Sequence, residues 1–308
     1  MTVAAQSRIR RLSGALYRRR WLRLGLLLAV PVLWLVGIYG GSLLSLLAQS
    51  FFRLDSFAGT INRTPTLATW RDLFTGANMA VVGRTVTMAA VVTLVSVVVA
   101  LPLAYYIARY ATRRTKALMV LAVLLPLWSS YLVRVYGWKL ILAAEGIINW
   151  FFSRLGLGGV LRGVLGLPVV GGPSLSVSYL GQFVVFMYVW LPYMILPIQT
   201  ALERIPRSFL EASADLGAKP ATTFRKVVWP LAIPGVAAGS IFTFSLTLGD
   251  YIIPTVIGDS SPFIGLAIYS HQGVAGNLPL AAAFAFVPIV IMALYLTLAR
   301  RLGAFEAL

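Results

Sequence analysis

Six runs of apolar residues, each about as long as a helix needs to cross a hydrocarbon core, constrain this chain more than any other feature. They lie at 24–47, 85–108, 117–135, 180–202, 231–257 and 278–298, and a membrane-spanning helix takes about 20 such residues. The runs are continuous and do not alternate with period two, which argues against a membrane β-barrel. Composition agrees: 59% of the 308 residues are hydrophobic and 11% charged, with a mean hydropathy of +0.86, whereas soluble domains carry about 25% charged residues. The expectation is an all-α, polytopic helical membrane protein with six transmembrane helices. A basic segment at 1–23 precedes a membrane domain at 24–300, and a tail at 301–308 closes the chain.

Charge sets the orientation. Eighteen of the 26 basic residues flank the runs on one side. Arg8, Arg10, Arg11, Arg18, Arg19, Arg20 and Arg23 precede the first run, and Arg109, Arg113, Arg114 and Lys116 fill the second connection. Arg204, Arg207, Lys219, Arg225 and Lys226 lie in the fourth, and Arg300 and Arg301 follow the last run. By the positive-inside rule this side, with both termini, is cytoplasmic. The net charge of +17 is thereby a topology signal, and nucleic-acid binding is not expected.

Several functions lose their residues at this stage. No cysteine is present, so disulfides and thiolate metal sites are excluded. The single histidine, His271, sits in an outer connection, which removes histidine metal clusters and triads. No G-x-x-x-x-G-K-[ST] loop occurs, and no acidic pair is spaced as a catalytic dyad, so neither an enzyme nor a nucleotide-binding chain is expected. The first run is too long for a cleaved signal and reads as a retained span. The longest outer connections are near 50–78 and 136–178; 145–155 suits either a short surface helix or a simple packing segment.

The fourth connection, 203–230, is the most informative polar stretch. Pro206 suits a helix N1 position, and Ser208 to Leu216 is helix-compatible. Gly217 fits a left-handed stop, Pro220 can open a second short helix over 221–228, and Pro230 leads into the fifth run. On these grounds the segment is either a rigid cytoplasmic knob or a re-entry turn, and both readings stand.

Glu211-Ala212-Ser213-x-x-x-Gly217, with Val227 and Pro230 following at the right spacing, resembles the EAA loop of ABC-transporter permeases, E-A-A-x-x-x-G-x9-I-x-L-P. Ser213, Val227 and Trp229 depart mildly from that pattern. The resemblance implies an ABC importer type I permease fold in a bacterial cytoplasmic (inner) membrane. It also implies that Glu211, Ala212, Ser213, Asp215, Gly217 and Pro230 belong to a loop that docks on a separate ATPase. The implied partners are a second permease subunit, forming a heterodimer, two ATP-binding subunits and an extracytoplasmic substrate-binding protein, with ATP and Mg held by the partners and no cofactor in this chain.

Three further segments resemble permeases of spermidine/putrescine importers: Pro102 to Arg109, Leu125 to Trp138 with Gly146 to Asn149, and Ser245 to Tyr251. Asp250 is the one acid expected well inside a span, and such a carboxylate faces either a pathway or a partner charge. Arg134, or an arginine of the second permease, is the structural alternative. Asp250, Tyr251, Trp128, Tyr131, Tyr136 and Trp190 are the candidate pathway residues; Trp138, Tyr188 and Tyr193 also offer aromatic faces to ammonium groups. Aromatic residues collect at membrane interfaces in any case. Gly235 and Gly239 form a G-x-x-x-G surface for close packing within the chain or with a partner. Importers of another small solute (an opine, thiamine or iron) share much of this pattern. A stand-alone secondary transporter or channel would show paired intramembrane charges in repeated halves, which the sequence lacks.

Overall fold

A 34-residue helix, Gly76–Arg109, runs through the centre of the chain. In this computed structural model residues 20–55, 57–168, 170–259 and 261–301 are described. Residues 1–19 of the basic segment at 1–23 and residues 302–308 of the tail at 301–308, both expected on the cytoplasmic side, lie outside them. The first span is α1 (Arg20–Trp34), which passes through a π-helical stretch, Leu35–Gly40, into α2 (Gly41–Ser50). A short hairpin follows, β1 (Arg53–Asp55) paired antiparallel with β2 (Thr60–Asn62), Leu54 facing Ile61. Next come α3 (Ala68–Leu73) and the central helix, α4 (Gly76–Arg109). At 1.5 Å per residue α4 is about 50 Å long, well beyond the roughly 30 Å of a hydrocarbon core.

The third run is not one continuous helix. α5 (Arg113–Leu124) and a 3-10 turn, Leu125–Trp128, are followed after Ser129 and Ser130 by α6 (Tyr131–Ile141). The two halves are bent by 96° at this break. Pro126 removes a backbone donor from the last turn, and Ser129 and Ser130 then take extended conformations that no helix continues. With this bent pair counted as one, the described residues hold six candidate spans.

Two short helices, α7 (Ile147–Arg154) and α8 (Gly158–Leu165), occupy the long connection, so the stretch 145–155 holds one short helix over 147–154. α9 (Tyr179–Glu203) is capped by Ser178, whose Oγ accepts from the Gly181 N–H at 3.0 Å. The polar connection forms α10 (Arg207–Asp215) and α11 (Pro220–Thr223), and α11 passes through a π-helical turn, Phe224–Val228, into α12 (Trp229–Gly249). From Pro220 to Gly249 the chain is thus one helical rod of 30 residues. The fifth run ends earlier than its hydropathy suggests: α12 stops at Gly249, and α13 (Ile252–Val256) starts after a break. α14 (Ile264–Gly273) and α15 (Leu278–Arg301) complete the fold.

α4, α9 and α12 pack on one another, and α15 covers α14 and α2. Gly235 and Gly239 answer the question their spacing raised. A Cβ on Gly235 would sit 2.6 Å from the Pro197 carbonyl oxygen, and one on Gly239 would sit 2.8 Å from Met194 Sδ. The G-x-x-x-G face therefore lets α12 approach α9 of the same chain. Thr85 ties α4 to α14: its Oγ1 accepts from the Ile264 N–H at 3.0 Å.

Candidate functional site: a polar loop and a buried carboxylate

Pro206, with φ −62° and ψ 143°, is the N-cap of α10, one position before the N1 place its sequence suggested. α10 ends in a Schellman motif. The Ala218 N–H donates to the Ser213 carbonyl (3.1 Å) and the Gly217 N–H to that of Ala214 (2.8 Å). Gly217 takes φ +71°, the left-handed conformation that glycine adopts at no steric cost. The Ser213 and Thr223 hydroxyls are 2.9 Å apart and hydrogen-bonded, so the Ser213 departure from alanine links α10 to α11. Glu211, Ala212, Asp215 and Pro230 are exposed.

Apolar side chains divide by role. Leu210 packs inward against the buried layer of Leu202, Ile205 and Val228. Phe209 and Leu216 face outward, Leu216 with 88% of its surface exposed. The loop is thus a closed two-helix unit that exposes bulky apolar groups among charges, a surface of the kind that meets a partner or a membrane.

The second constellation lies where the two breaks meet. Asp250 falls between α12 and α13, so it occupies a helix break and not the middle of a continuous span. Its Oδ1 accepts from the N–H groups of Ile252 (2.7 Å) and Ile253 (3.0 Å), capping α13, and its Oδ2 accepts from the Tyr131 hydroxyl at the start of α6. Asp250 is buried and its three donors are uncharged. Arg134 is not within ion-pair distance: the salt bridge among the described residues joins Lys116 to Glu203. Arg134 instead lies over the Tyr131 ring, 5.8 Å from its centroid.

Aromatic faces gather around this carboxylate selectively. Tyr131 stacks on Trp190 (centroids 5.7 Å apart), and Trp190 meets Tyr193 at 5.9 Å. Tyr251 stacks on Tyr269 at 5.2 Å, a partner that sequence spacing did not indicate. Trp138 and Tyr188 form a separate pair, 5.0 Å apart. Trp128 and Tyr136 are largely exposed and stand outside the cluster.

Known proteins resemble this chain over most of its length. Residues 164–305 match the family described as binding-protein-dependent transport system inner membrane component. The chain is 53% identical over 298 residues to the inner membrane ABC transporter permease protein YdcU of Escherichia coli (strain K12), covering 97% of this chain and 95% of that one. It is 26% identical over 264 residues to the spermidine/putrescine transport system permease protein PotB of the same organism, covering 85% and 91%. Among solved structures, a chain of a bacterial alginate ABC transporter in complex with an alginate pentasaccharide-bound periplasmic protein superposes with a TM-score of 0.69 at 15% identity, over 96% of this chain and 98% of that one.

Proposed function

This chain belongs to the inner membrane permeases of binding-protein-dependent ABC importers, multi-span transport components and not enzymes, and from that premise we propose that it forms half of a translocation pathway for polyamines such as spermidine and putrescine. The observation that carries the substrate reading is Asp250. It is a buried carboxylate held by neutral donors, with no cation paired to it among the described residues, beside the Tyr131–Trp190 stack. A passing ammonium group regains there part of the hydration it loses, and aromatic faces attract it further. The resemblance of neighbouring segments to spermidine/putrescine permeases, and the 26% identity to PotB, point the same way.

In this reading the chain pairs with a second, similar permease. Two ATP-binding subunits hold ATP and Mg on the cytoplasmic side, and a substrate-binding protein delivers the cargo from outside. The Glu211 knob seats on an ATP-binding subunit and carries its closure to the spans. Both termini are cytoplasmic, as the basic clusters require.

Reporter fusions and co-purification test the arrangement. Fusions after Arg114 and near Lys219 are expected to report the cytoplasm, and fusions near Asp55, Leu165 and His271 the outside. The chain is expected to bring down ATP-binding subunits, and deletion of 207–217 to abolish that association. A Lys219 fusion reporting the outside would overturn both orientation and ATPase docking.

A further inference from the structure

The C-terminal end of α4 grips both arms of the polar loop. Arg109, in the last turn of α4, donates from Nη2 to the carbonyl oxygens of Leu202 (2.7 Å) and Ile205 (2.9 Å), one at the end of α9 and one just past it. The Leu202 oxygen is among the last-turn acceptors that α9 leaves without intrahelical partners, where a cation also suits the helix dipole, and the Ile205 oxygen lies in the turn beyond it. One turn back on the same face, Tyr105 meets Phe224 of the departing arm edge-on, with centroids 5.6 Å apart. Just beyond α4, Lys116 pairs with Glu203 at 3.0 Å, and Gln199 Nε2 donates to the same carboxylate at 2.7 Å. Below these contacts Ala100, Ala104, Ile198, Leu202, Val228 and Ala232 form one buried layer.

This bracket has a mechanical consequence. The chain leaves α9 at Arg204, turns at Ile205 and Pro206, and enters α10. Without Arg109 that turn is the softest link between the knob and the spans: three non-helical residues, of which Ile205 alone is buried. The guanidinium brackets the start of the turn, holding the carbonyl of Leu202 before Arg204 and that of Ile205 after it against α4. We infer that Arg109 is a positioning residue for coupling, fixing the entering arm of the loop to α4 so that displacement of α10 moves the central helix and is not absorbed at 204–206. The inference rests on the reading of 203–230 as the ATPase-docking loop. Arg109 touches neither substrate nor nucleotide in it.

The test uses the whole complex, reconstituted with its ATP-binding subunits and binding protein. Arg109→Met keeps the apolar stem and removes the donors; Arg109→Lys keeps the charge and a shorter donor. Arg109→Met is expected to assemble and to hydrolyse ATP at the basal rate, with uptake per ATP lowered about twofold to thirtyfold, the range in which residues along a coupling path act. Arg109→Lys is expected to recover part of that loss. Because the chain has no cysteine, spin labels placed at the exposed positions Tyr110 and Ser208 report the turn directly. A narrow distance distribution is expected in the parent complex and a broadened one with Arg109→Met. Unchanged uptake per ATP with an unchanged distance distribution overturns the inference and leaves ATPase docking standing. Failure of Arg109→Met to assemble while Arg109→Lys is fully coupled makes Arg109 a folding residue only, which also overturns it. Failure of the parent complex to bind ATP-binding subunits removes the docking reading and this inference together.

Discussion

Asp250→Asn is expected to lower polyamine uptake by tenfold or more while leaving the complex assembled. Asparagine matches aspartate as a helix N-cap, so its Oδ1 can still accept from the Ile252 and Ile253 N–H groups, and the Tyr131 hydroxyl can turn to accept from its amide. The shape of the break is thereby kept and the charge is lost. Two unit charges 4 Å apart at an effective dielectric of about 20 interact by about 4 kcal/mol, and each 1.4 kcal/mol is about tenfold. Even part of that attraction exceeds the predicted loss. Asp250→Ala differs in kind: it strips the cap from α13 and leaves the Tyr131 hydroxyl without its partner, so assembly itself is expected to suffer. Labelled-polyamine uptake beside recovery of the intact complex separates the two effects. Full uptake by Asp250→Asn removes the main physical support for a cationic substrate.

Gly217→Val should uncouple the complex without blocking its insertion. Nothing lies within 4 Å of a Cβ built on Gly217, so the substitution meets no steric neighbour. The penalty comes from φ +71°, where a side-chain-bearing residue pays roughly 1–2 kcal/mol and a β-branched one is a genuine outlier. Relaxing that strain means opening the Schellman turn, which shifts Leu216 and the angle between α10 and α11. Substrate-stimulated ATP hydrolysis is expected to fall about fivefold to thirtyfold, the factor that strain of this size represents, with membrane content unchanged. Gly217→Ala, lacking the branch, should fall between the two. Normal stimulation in Gly217→Val would speak against the knob as the contact with the ATP-binding subunit.

The apolar runs made the spans legible because about 20 consecutive apolar residues have few other uses. The breaks were less legible. Hydropathy is blind to backbone direction, so 117–135 and 231–257 each read as one helix. The signals were local ones that the apolar background masked: Pro126 followed by Ser129-Ser130, and an Asp-Tyr pair whose acid caps a five-residue helix. Asp250 was recognised as unusual, yet its Tyr131 partner lies 119 positions away, a pairing that no spacing rule reaches. The loop was read almost to the residue, since Gly217 and the prolines are punctuation with a mechanism. Its second helix, however, does not stop before the fifth span but runs into it. Arg109 was read as a charge on the cytoplasmic side and as the end of a permease-like segment; its hydrogen bonds to Leu202 and Ile205 emerge only once α4 and α9 are packed together.

The central claim is that ATP hydrolysis on partner subunits drives a cationic solute past Asp250. Its most direct test is accumulation of labelled spermidine and putrescine by proteoliposomes carrying the complete complex, with binding protein on the outer side and ATP inside. The account predicts concentrative uptake of both that requires ATP and the binding protein together, and that excess unlabelled polyamine suppresses. Uptake that proceeds on an ion gradient without the ATP-binding subunits, or a complex that carries an anionic solute and ignores polyamines, would contradict it.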